Sequence, residues 1–132
     1  MGADIQATGG AWGGAAGSRG SDITLENHGP AACLLPAGPT IALLDQGGTV
    51  LLTTPARAGS GPSLAPNGQI GFSLVLGNWC DQSVALPLHF RLALAGDAVD
   101  IGSLLISTTD ELPPCNGPGQ PADLSTTDWQ PS

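Results

Sequence analysis

Two histidines, three cysteines and three tryptophans give this chain most of its scope for chemistry. Nucleophilic catalysis needs a serine or cysteine beside a base that a third group orients. Only His28 and His89 offer an imidazole for that purpose. His28 falls in the turn sequence Asn27-His28-Gly29-Pro30, and His89 in the alternating run Pro87-Leu88-His89-Phe90-Arg91-Leu92. Alternation places His89 on the same face as Arg91, the solvated one. Neither histidine is accompanied by a G-x-S-x-G elbow. The expectation is a protein that is not an enzyme and carries no cofactor.

Metal binding is the other use His28 could have. Cys33 follows it across the turn, and Asp22 and Glu26 precede it. Imidazole with thiolate or carboxylate suits copper or zinc. A solvent-exposed turn histidine is the simpler reading, and no metal is expected. Asp45, Asp97, Asp100, Asp110 and Glu111 are scattered and lack the D-x-D-x-D-G spacing of a calcium loop. Sugar recognition on a sandwich uses exposed aromatic faces. Trp12 and Trp129 are the candidates for that role, whereas Trp79 beside Cys80 reads as structural. With two phenylalanines and no tyrosine to help them, anchoring is the expected task of all three rings.

Cys33, Cys80 and Cys115 are odd in number, and no two are close enough for a C-x-x-C motif. In an oxidising compartment they read as one disulfide plus a leftover thiol, or as a set whose last partner has been cut away. Three reduced, buried cysteines acting as small hydrophobes are the alternative.

The elements that hold these residues are short and punctuated. The 132 residues suit one domain spanning 1–132, with enough chain to bury a core. Twenty glycines and twelve prolines approach the composition of disorder, but 41% hydrophobic and 11% charged residues oppose it. Glycine and proline therefore read as turn markers in an all-β domain. No glycine- and proline-free window of helical length keeps a helical apolar period.

Partners are bounded by charge. The formal net charge is −8, with no lysine and only Arg19, Arg57 and Arg91 as cations. That excludes nucleic acid, which needs clustered cations, and attachment to anionic membranes. No apolar run approaches the ~18–20 residues of a span, so no direct membrane insertion is expected. No secretory leader is legible, and Met1-Gly2 reads as an expression start on a mature or excised domain.

Residues 68–90 organise the chain. Apolar alternation over 70–76 and 86–94 predicts two core strands meeting at a corner, Gly77-Asn78-Trp79-Cys80-Asp81. Further strands are predicted over 3–7 (at an edge), 21–26, 33–36 (confined to an edge or a bend by Pro36), 40–44, 49–53, 99–107 and 123–129. Asp45-Gln46-Gly47-Gly48 reads as a hairpin turn and Ala95-Gly96-Asp97 as a turn into the next strand. Residues 9–20 form a glycine-rich loop in which Trp12 folds back onto the domain. Residues 55–67 read as an irregular crossover between sheets, and 113–121 as a Pro/Gly loop pinned to the body by its cysteine. About seven to nine short strands with such spacing fit a sandwich better than a barrel.

Several short motifs in one order carry a resemblance. They run from Ile23-Thr24-Leu25-Glu26-Asn27 through Cys33-Leu34-Leu35-Pro36 to Ile41-Ala42-Leu43-Leu44-Asp45-Gln46-Gly47-Gly48. Leu64-Ala65-Pro66-Asn67-Gly68, Asn78-Trp79-Cys80, Cys115-Asn116-Gly117-Pro118-Gly119-Gln120-Pro121 and Trp129-Gln130-Pro131 follow. Over nearly its whole length the chain resembles the bacterial domain of unknown function numbered 4232, found in exported proteins and lipoproteins of actinobacteria and related phyla. The resemblance implies an immunoglobulin-like antiparallel β-sandwich outside the cytoplasm, secreted or anchored to the cell envelope. It carries no activity and no functional residues. Members often have a further cysteine upstream, which this chain lacks. On that view Cys80 pairs with Cys115, Trp79 packs at or near the bond, and Cys33 is left unpaired. The bond would close a loop of about 35 residues and contribute roughly 3–4 kcal/mol.

The function expected is a non-enzymatic interaction module for an unknown protein or glycan at the cell surface. A small-ligand, metal or carbohydrate-binding domain using His28, Trp12 or Trp129 is the alternative, and a structural spacer a third.

Overall fold

A computed structural model describes residues 4–15, 17–80, 83–94 and 96–131. The Met1-Gly2 start, Ala3 of the first predicted strand, Asp81 of the corner and Ala95 of the turn over 95–97 lie outside them. The rest is an all-β sandwich that includes a turn of 3-10 helix at Thr109–Glu111.

Twelve strands are present among the described residues: β1 Ile5–Gly9, β2 Gly13–Ala15, β3 Ser18–Asn27, β4 Cys33–Pro36, β5 Ile41–Leu44, β6 Val50–Thr53, β7 Ser60–Leu64, β8 Gln69–Gly77, β9 Leu88–Leu94, β10 Asp97–Ile106, β11 Asp123–Thr126 and β12 Gln130–Pro131. Eight follow one path, β11-β8-β3-β1-β10-β9-β5-β6, with β2 added to β3, β12 added to β8, and β4 paired separately with β7. The ladders are antiparallel except where β1 runs parallel to β10, Ala7 opposite Ile101. The first strand is therefore interior, between β3 and β10, rather than at an edge as its position in sequence suggested.

Alternation writes the core. Along β9, Leu88, Phe90, Leu92 and Leu94 are buried while Arg91 is exposed and His89 half-buried. Along β8, Phe72, Leu74 and Leu76 turn inward. Ile23 and Leu25 of β3, Ile41 and Leu43 of β5 and Ile106 of β10 join the same cluster. In β10 the alternation resets: Ile101 and Leu104 are both buried, and Ser103 between them takes a left-handed backbone, φ 64°. The β10–β9 register shifts over this stretch. From Asp100 opposite Arg91 to Leu105 opposite His89, β10 carries three residues more than β9, and this odd-numbered insertion turns Leu104 into the core.

The two central strands, β8 and β9, do not pair. Three strands, β3, β1 and β10, separate β8 from β9 along the path. The glycine-rich stretch 9–20 is in part a strand, β2, pairing Gly13 with Gly20 and Ala15 with Ser18. The crossover 55–67 likewise contains β7, whose Leu64 lies opposite Cys33. A side chain at Gly61 would collide with the Pro36 carbonyl, so that close approach of β4 and β7 requires glycine.

Buried Asn27 ties the end of β3 to this pair. Its Nδ2 donates to the Ala31 and Leu64 carbonyls, at 2.9 and 3.0 Å, and its Oδ1 accepts from the Gly29 N–H at 2.9 Å. Every polar group of the turn amide is thus matched inside the protein.

Candidate functional site at the disulfide end

Cys80 and Cys115 form a disulfide between exposed positions, with an S–S distance of 2.01 Å. Asn78 builds the surroundings. Its backbone is left-handed, φ 53°, a conformation asparagine tolerates better than most residues. That conformation turns its amide toward the loop over 115–121. Oδ1 accepts from the N–H groups of Asn116 and Gly117, at 2.9 and 2.7 Å. Nδ2 donates to the carbonyls of Gly117, Gln120 and Pro121, at 3.2, 3.3 and 3.3 Å. Asn116 Nδ2 donates in turn to the Gly17 carbonyl. The proline- and glycine-rich loop has almost no regular ladder of its own, and one side chain supplies its partners.

Beside the bond lies an apolar cleft of about 300 Å³. Leu51 and Leu52 of β6, Val84, Ala122, Cys80 and Trp79 line it. Trp79 is 4% exposed, packed where the disulfide closes, and belongs to the core cluster. Sequence reasoning placed Trp79 here but did not find the cleft. Its one legible signal was Val50-Leu51-Leu52, three consecutive apolar residues in a strand that ends a sheet.

The other candidates are dispersed. Trp12 is half-buried, its ring 5.7 Å from Phe90 and its Nε1 donating to the Glu111 carbonyl at 2.7 Å. Trp129 meets Phe72 edge-on at 5.5 Å and donates to the Pro36 carbonyl at 2.8 Å. Each ring fastens a terminal segment to the core, at separate places.

His28 Nε2 lies 2.9 Å from Gln6 Oε1 and 3.4 Å from Glu26 Oε1. Of its possible co-ligands, Cys33 is buried in the core at 3% exposure, and the Asp22 carboxylate accepts from Ser73 Oγ at 2.6 Å. Glu26 alone reaches the imidazole. Among the described residues no group of three or more histidine, cysteine or acidic side chains could hold a metal ion.

Together the fold and the disulfide end define a stapled all-β sandwich domain. No protein-family model, curated protein or solved structure matches the chain.

Proposed function

We propose that this protein is an exported, non-enzymatic β-sandwich module that binds a protein or glycan at the cell envelope or beyond it. The Cys80–Cys115 disulfide carries the reading, because both cysteines are exposed and a reducing cytosol would keep them as thiols. The resemblance of the ordered motifs to domain 4232 supports the same compartment and an immunoglobulin-like relationship. The engagement of His28 by Gln6 and Glu26, rather than by a nucleophile, supports a role in binding over catalysis. An acidic surface with three arginines fits a soluble exported domain.

Fractionation of cells carrying the tagged full-length product, with thiols trapped at lysis, tests this reading. The protein is expected in the envelope or the medium with Cys80 joined to Cys115. Recovery from the cytosol with both thiols reduced contradicts it. Crosslinking on intact cells is expected to join the module to a protein or glycan. A surface-located chain that crosslinks to nothing would leave only a spacer role.

A further inference from the structure

The path of eight strands ends at β6 on one side and β11 on the other, and among the described residues each pairs with a single neighbour, β5 and β8. Residues from both ends meet again across a seam. Leu51 and Leu52 face Ala122 in the cleft beside the disulfide, and Thr54, Pro55 and Arg57 face residues 123–126 in a second cleft, also about 300 Å³. We propose that the edge of β6 takes an added strand here: an extended segment of a partner protein in which aliphatic side chains alternate with lysine or arginine. The proposal rests on the reading of the protein as an interaction module and names its surface.

An edge strand presents unpaired backbone donors and acceptors, and proteins usually guard such edges with charge or proline. Val50-Leu51-Leu52-Thr53 has neither, and Val50 is 53% exposed. Leu44 pairs with Val50 and Leu43 with Leu52, so Leu51 is an extra residue in the ladder. That bulge lets consecutive leucines line one cleft, which strict alternation would forbid. A strand laid along β6 would gain main-chain bonds, and every second side chain would lie over the apolar cleft.

Charge selects the partner. Each arginine is already engaged: Arg19 with the Leu112 and Asp110 carbonyls, Arg57 with Asp128, and Arg91 with Asp100. Asp123 lines the second cleft, where Arg57 is already paired with Asp128, so the charge left at the seam is negative. A second copy would bring −8 against −8, whereas a basic strand is attracted.

The test is an NMR titration of the whole chain with three peptides of roughly six residues, a typical strand length. In them valine alternates with lysine, with serine or with glutamate. The valine–lysine peptide is expected to shift the amides of residues 50–53 and the Trp79 indole, and to bind more weakly as salt rises. Val50→Lys is expected to weaken it about tenfold, while Val75→Lys, on the exposed face of β8, leaves binding unchanged. Shifts confined to another surface, equal binding of the glutamate peptide, absence of binding by all three, or a dimer formed through β6 would each overturn the proposal. Export and disulfide state are read in a separate experiment, so loss of this site leaves the broader reading standing.

Discussion

Asn78 and Gly117 are bonded in both directions: Oδ1 of Asn78 accepts from the Gly117 N–H at 2.7 Å, and Nδ2 donates to the Gly117 carbonyl at 3.2 Å. The loop beyond Cys115 is thus held by a side-chain amide as well as by a covalent bond. Asn78→Ala removes every one of these contacts and strains a left-handed backbone. It is expected to cost about 2–3 kcal/mol in urea unfolding. Asn78→Gly relieves the strain but not the lost hydrogen bonds, so it should fall between the two.

Removing the disulfide tests the covalent half of this arrangement. The Cys80→Ala, Cys115→Ala double variant is expected to lose about 3–4 kcal/mol, from the larger loop freed in the unfolded chain. The β9 and β8 amides should keep their native NMR positions, since their core contacts lie elsewhere. A variant as stable as the parent would show that the bond contributes nothing.

Gly61→Ala sets a methyl group against the Pro36 carbonyl, and a backbone atom cannot swing aside. The β4–β7 pair is expected to separate locally, at a cost of about 2 kcal/mol or more. Faster hydrogen exchange at Leu34 and Ser63 would report it. Unchanged protection there would argue against so close an approach.

Trp12 contributes a ring and a hydrogen bond, and two substitutions divide them. Trp12→Phe keeps contact with Phe90 but leaves the Glu111 carbonyl without its indole donor, for about 1 kcal/mol. Trp12→Ala also loses the packing and is expected to cost about 2–3 kcal/mol. Equal effects of the two would mean that the ring packs no better than a methyl group.

The strands that alternate were legible because one buried face repeats every second residue. Leu88, Phe90, Leu92 and Leu94 state β9 outright. β7 was hidden because Ser60, Gly61, Pro62 and Ser63 have poor strand preference, and only Leu64 is buried. It becomes a strand by pairing with β4, a contact distant in sequence. β2 is hidden in the same way, by Gly13 and Gly14. That β8 and β9 lie apart follows from the placement of β3, β1 and β10 between them, which spacing along the chain does not encode. At the site, Trp79 beside Cys80 was readable as a local pair. The cleft was not, because it needs the bulge at Leu51 and the return of Ala122 across the seam.

The most direct test of a stapled, exported sandwich is the intact mass of protein made through an oxidising compartment, alkylated without reduction and then mapped by peptide. Cys33 is buried at 3% exposure, so it should escape alkylation in the native protein and react once after denaturation. The account predicts that single adduct, together with one crosslinked peptide joining Cys80 to Cys115. Three alkylated cysteines, or a crosslink that includes Cys33, would contradict it.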